Sequence, residues 1–251
     1  MPYARAMPPP GSDIALAAFS VALGYGMFGF SGFGANIVAL PLLVQVVPLR
    51  MAVPLLLLLD LLSTVMLGAR SWRQVQWQEL RRLVPFLLAG MGVGGLLLTR
   101  ADERLLLGVL GGFLVVYAAW SLWGQRDPRP ASRHWAVPAG LVGGTLTALF
   151  GTGGVIYTVY LVRRIEDATL LRATLGVLIL GTSLARLAMF TGSGLYAQPG
   201  LFRWALLLAP FGALGYVLGT RLHHRVPQAR VRRAIWCLLL FNGGMLLWRS
   251  V

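Results

Sequence analysis

Two charged residues stand where an apolar chain tolerates them least. Asp60 lies in the run LLLLLDLLSTVM, with Ser63 and Thr64 three and four positions later and therefore on the same helix face. Arg186 lies in GTSLARLAMF, with Ser183 and Thr182 three and four positions earlier. An ionisable side chain inside a membrane span is costly unless it is paired or used, so both are candidates for function. Arg186 can attract an anion. Asp60 can carry a proton or neutralise Arg186. The competing readings are structural: Arg186 snorkels out of the outer half of its span, or the two residues form a fixed ion pair.

Two glycine-rich stretches interrupt the apolar runs. GFSGFGANIVALP (Gly29 to Pro41) and GTGGVIY (Gly151 to Tyr157) put polar and helix-breaking residues at membrane depth. Backbone leaves helical form there only where protein or a water-filled cavity covers it. Glycine lets the chain turn and lets a ligand or another backbone come close. The spacing predicts that a second, short helix begins just after each break, near Ala35 and near Gly154. Its unpaired N–H groups and positive dipole end would then form an anion site. The candidate binding set is Gly32, Gly34, Ala35, Asn36, Gly151, Thr152, Gly153 and Gly154, with Arg186. Asp60 is the candidate coupling or proton-carrying residue. The alternative is that the break glycines serve only close helix packing. Packing is also the reading for the glycines of GMGVGG (90–95) and FGALGYVLG (211–219).

The elements that must position these residues follow from composition. The chain has 251 residues, 57% hydrophobic and 12% charged, against about a quarter charged in a soluble domain. Apolar runs near spanning length recur throughout, which predicts an all-α, polytopic membrane protein. An apolar stretch after Arg5 has the outline of a signal peptide but no small-x-small cleavage site follows, so it reads as a retained helix. Cys237 is the single cysteine, and His134, His223 and His224 lack metal-ligand spacing, so the sequence calls for no disulfide, metal or cofactor. The net charge of +14 is carried by arginines scattered over short loops, not by one patch, which argues against nucleic-acid binding.

The polar stretch GQRDPRPASRHW (124–135) divides the chain into two similar parts. Residues 1–124 read as an N-terminal repeat, 125–135 as a linker and 136–251 as a C-terminal repeat. GFGANIV at Gly32 recurs as GTGGVIY 119 positions later, and Thr99-Arg100 recurs as Thr220-Arg221 at an offset of 121, which sets Gly94 opposite Gly215. Each repeat is expected to hold a broken or re-entrant helix pair and three transmembrane helices. If each broken segment returns the chain to its own side, six loop arginines (5, 50, 100, 104, 203 and 249) fall on one face and fifteen on the other. If each broken segment is a single crossing, the split is ten to eleven. Only the first arrangement obeys the positive-inside rule. It gives inverted repeats with both termini on the periplasmic side of a bacterial inner membrane, and two full crossings per broken segment satisfy it equally.

With these residues in place the chain resembles the TauE/SafE family of sulfite and organosulfonate exporters. The resemblance rests on GFGANIVALP with its trailing Pro41, on GTGGVIY, and on RATLGVLILGTSLARL after it. Where that family carries three glycines, this chain has Gly34-Ala35-Asn36 and Gly153-Gly154-Val155. The resemblance implies movement of small sulfur-containing or carboxylate anions across the membrane. The expected partners are that anion, the lipid bilayer and a further copy of the chain in a homo-oligomer. Two alternatives stay open: an anion channel, and a membrane-embedded enzyme or assembly factor. No nucleophile–base pair or nucleotide-binding motif is visible, so the chain reads as a non-enzyme without its own ATP drive.

Overall fold

The computed structural model describes residues 11–31, 34–67, 75–122, 132–222 and 228–250. Among these residues ten α-helices follow one another: α1 (Gly11–Ser31), α2 (Ala35–Leu43), α3 (Leu49–Leu67), α4 (Trp77–Arg100), α5 (Glu103–Leu122), α6 (Ala136–Phe150), α7 (Gly154–Val162), α8 (Ala168–Gly192), α9 (Leu201–Leu222) and α10 (Gln228–Ser250). No strand occurs among the described residues. α1, α4, α5, α8 and α9 are long and apolar enough to cross a membrane. α2 and α7 have nine residues each, about 13 Å, less than half of a hydrocarbon core of roughly 30 Å. Each half of the chain therefore runs as one longer helix, one short helix and three long helices.

The short helices fold back on the helices before them. Gly34 (φ +87°) and Gly151 (φ +71°) adopt the left-handed conformation that a side chain disfavours, and this turns the chain. Gly24 of α1 lets α2 approach: a Cβ there would stand 2.6 Å from Ala39 Cβ and 2.7 Å from the Ala35 carbonyl oxygen. At Gly143, 119 positions after Gly24, a Cβ would make only ordinary contacts with the Tyr157 ring and the Gly153 carbonyl at 3.4 and 3.5 Å; in this hairpin the close approach is at Gly153, where a Cβ would run into the Gly143 carbonyl.

The chain forms two compact units. One holds Met1–Leu59, Asp102–Trp123 and Gly194–Val251; the other holds Asp60–Ala101 and Gly124–Ser193. Each unit draws helices from both sequence halves, so the 1–124 and 136–251 division is not a packing boundary.

In the first unit α1 packs along α9, and in the second α6 packs along α4. Both pairs run parallel, with backbone nearly touching backbone. A Cβ on Gly215 would run into the Ala22 carbonyl, and one on Gly219 into that of Gly26. A Cβ on Gly90 would run into the Leu141 carbonyl, and one on Gly94 would meet that of Thr145. Residues 22 and 26 correspond to 141 and 145 at the offset of 119. Gly90 therefore corresponds to Gly215 and Gly94 to Gly219, an offset of 125. This corrects the pairing of Gly94 with Gly215 by one helical turn. The same offset matches Pro85-Phe86 with Pro210-Phe211. Close approach through small residues is how helices associate without a hydrophobic drive between them, which accounts for both glycine clusters as packing.

α5 and α10 of the first unit run antiparallel and cross through a reciprocal contact. A Cβ on Gly111 would stand 2.8 Å from the Gly243 carbonyl, and one on Gly243 would stand 3.0 Å from the Gly111 carbonyl. Gly108 meets Ser250 further along the same pair.

Helix starts are capped by two means. Asp167 precedes α8 and accepts from the N–H groups of Thr169 (2.6 Å) and Leu170 (3.1 Å). The bonds from Leu170 and then Thr169 hold its carboxyl below the usual carboxylate range. The position 119 residues earlier is Pro48, which cannot cap in this way. The N–H of Leu49 instead donates to Glu103 at the start of α5, at 2.7 Å.

Candidate functional site

The geometry around the second break lies within one unit. Gly151 ends α6, Thr152 and Gly153 turn the chain, and α7 starts at Gly154. The N–H groups of Val155, Ile156 and Tyr157 donate back to the carbonyls of Thr152 and Gly153. Among the described residues, no backbone carbonyl accepts from the N–H groups of Thr152, Gly153 or Gly154. A helix start of this kind favours negative charge. Thr152 is 3% exposed, and its Oγ1 has no hydrogen-bond partner among the described residues. A buried hydroxyl in that state costs free energy unless a ligand or water meets it.

Tyr157 sits in the first turn of α7 with its hydroxyl turned back toward the break. A Cβ on Gly154 would stand 3.2 Å from that hydroxyl. The hydroxyl lies near the Thr182 hydroxyl of α8 and the Thr147 hydroxyl of α6, and the charges of Arg186 and Asp60 both act on it. Thr147 donates onward to the Gly143 carbonyl at 2.7 Å. Arg186 is 3% exposed, with its guanidinium 5.5 Å from the Phe190 ring centroid. It faces the interior and does not snorkel. Thr182 and Ser183, on the same stripe, are also buried. Asp60 is half-buried. The structure thus brings Gly154, Tyr157, Arg186 and Asp60 into one electrostatic neighbourhood, and only Tyr157 is absent from the candidate set drawn from sequence.

Gly153 has a packing duty whatever else it does. A Cβ there would run into the Gly143 carbonyl and the Thr147 side chain of α6. At the first break, Gly32 lies outside the described residues, as do the side chains of Ser63 and Thr64. Gly34 precedes α2, and Ala35 and Asn36 form its first turn, both buried. Tyr25 of α1, which corresponds to Gly144 at the offset of 119, donates to the Leu56 carbonyl at 3.2 Å.

A second polar centre lies at the other end of α7. Glu79, in the first turn of α4 and 6% exposed, accepts from the Tyr160 hydroxyl at 2.7 Å and from Arg164 at 2.8 and 3.3 Å. Arg82 donates to it at 3.0 Å. None of these four residues belongs to the candidate set from sequence. The sequence analysis does not single out Glu79; the available signal is an acid three positions before an arginine at the edge of an apolar run.

An all-helical chain with membrane-length helices and two helices broken at glycine, one break lying beside a buried arginine, defines a polytopic membrane protein with a polar centre enclosed in apolar surroundings. The sulfite exporter TauE/SafE family model matches residues 16–246, and the chain belongs to that family. It is 32% identical over 205 residues to the probable inner membrane transporter protein TsaS of Comamonas testosteroni, covering 78% of this chain and 83% of that relative. No solved structure matches the chain.

Proposed function

We propose that this chain is a secondary transporter that moves a small sulfur-containing or carboxylate anion across the bacterial inner membrane. Its halves have inverted topology and both termini are periplasmic. The observation that carries the reading is the first turn of α7, where N–H donors, the Tyr157 hydroxyl and the buried charge of Arg186 converge. A sulfonate, sulfite or carboxylate offers several acceptor oxygens to such donors. In apolar surroundings each contact is stronger than it would be in water. Family membership and the relative's description as a probable inner membrane transporter favour transport over catalysis.

The inversion is supported by helix direction. If each broken segment returns to its own side, α5 and α10 cross the membrane in opposite senses. If each is a single crossing, they cross in the same sense. Their antiparallel contact through Gly111 and Gly243 agrees with the first arrangement, as does the six-to-fifteen arginine split. In this reading Arg186 and the breaks bind the anion, and Asp60 carries the coupling proton.

The test is uptake of labelled sulfite, taurine and sulfoacetate into proteoliposomes, with an imposed pH gradient. Wild-type protein should concentrate one of these anions, and Asp60→Asn should lose the dependence on the gradient while still folding. Equilibration without concentration would identify a channel. An unchanged response in Asp60→Asn would remove its coupling role.

A further inference from the structure

We propose that Arg164, Arg82 and Tyr160 form a second anion seat, which Glu79 fills as an internal stand-in and from which a small sulfonate or carboxylate can displace it. The proposal rests on the small-anion reading of the chain but concerns a different place in it. Four hydrogen bonds converge on the two Glu79 carboxylate oxygens: Tyr160 on Oε2 at 2.7 Å, and Arg164 Nη2, Arg164 Nε and Arg82 Nη1 on Oε1 at 2.8, 3.3 and 3.0 Å. Two guanidiniums and a phenol aimed at one acid group form the donor set that any carboxylate or sulfonate would select. Ionised Glu79 cancels only one of the two positive charges, so the centre keeps a net attraction for anions.

The seat is built and it is reachable. Glu79 and Tyr160 are 6% and 3% exposed. The Arg164 and Arg82 side chains keep 22% and 36% of their surface exposed, against 7% for Glu79, so the seat opens on its arginine side. The charges that act on Glu79 are those two; α6 carries no titratable residue.

A purely architectural ion pair would be expected wherever the repeat places the same helices. It is not. At the offsets of 119 and 125, Tyr160, Arg164 and Glu79 correspond to Pro41, Gln45 and Trp204. The other half builds its short helix without any such centre. The seat also acts on the first site through one rigid element. Tyr160 lies in α7 and Arg164 just beyond its end, while Gly154 and Tyr157 open the same nine-residue helix. Replacing Glu79 by a free anion removes the tie between α7 and α4, and so releases the helix whose other end binds substrate.

The experiment measures binding, not transport. Purified wild type, Glu79→Ala, Glu79→Gln and the double variant Glu79→Ala/Arg164→Gln are titrated with methanesulfonate and with acetate, and thermal stability is followed. Glu79→Ala and Glu79→Gln should bind methanesulfonate at least about tenfold more tightly than wild type, a difference of about 1.4 kcal/mol. The double variant should lose that gain. Equal affinity in wild type and both single variants would overturn the proposal, as would a gain that survives loss of Arg164. Failure of both single variants to yield folded protein would also count against it, because the centre would then be a fixed structural pair. If wild type takes up no anion in proteoliposomes while Glu79→Ala still gains the methanesulfonate site, the transport reading fails and the seat stands.

Discussion

Gly153→Val is expected to lose the α6–α7 hairpin before any question of ligand arises. The added Cβ would run into the Gly143 carbonyl and would stand 2.6 Å from the Thr147 backbone nitrogen, and neither can move without disturbing α6. Overpacking of this kind costs about 1–3 kcal/mol where side chains can shift, and more where the obstacle is backbone. The measurement is the thermal midpoint in detergent, alongside monodispersity by gel filtration. The expected outcome is a large fall in both. A Gly153→Val protein with wild-type stability would mean that the hairpin does not pack as described.

Arg186→Gln is expected to leave the fold and to remove the anion. The guanidinium is buried, 5.5 Å from the Phe190 ring centroid, and its charge acts on the Tyr157 hydroxyl. A hydrogen bond to a charged group is worth about 1.5–3 kcal/mol, which corresponds to a loss of roughly tenfold to a hundredfold in affinity. Arg186→Lys should fall between, because it keeps the charge and loses the planar fork. Ligand-induced thermal shifts with sulfite, taurine and sulfoacetate report this directly, since a ligand that binds only the folded state raises the midpoint. Wild-type shifts in Arg186→Gln would place the anion elsewhere.

The helix breaks are legible in the sequence for a physical reason. Glycines beside Asn36 and Thr152 weaken an apolar helix and mark candidate starts at Ala35 and Gly154, but Asn242-Gly243-Gly244 stays helical inside α10, so the left-handed turns at Gly34 and Gly151 decide where the breaks fall. The glycine clusters of α4 and α9 are equally legible as packing, because small residues at helical spacing have few other uses in a membrane. Register is harder. The pairing of Thr99-Arg100 with Thr220-Arg221 rests on interfacial residues, which tolerate a one-turn slip. Pro85-Phe86 and Pro210-Phe211 sit at the crossing itself and give the offset that the contacts require. Tyr157 is quoted in the motif yet invisible as a site residue, because its neighbours Thr147 and Thr182 come from two other helices. Glu79 is hidden for the same reason: its partners on the far side of α7 are 81 and 85 positions away.

The most direct test of the central claim is a structure with a bound sulfonate, phased on its sulfur or on a heavier analogue. The anion is predicted within hydrogen-bond distance of the N–H groups opening α7 at Thr152 to Gly154, or of those opening α2 at Ala35 and Asn36, with the Tyr157 hydroxyl or Arg186 among its contacts where it lies at α7. An anion bound more than a few ångströms from both breaks would contradict the account, whatever the uptake measurements gave.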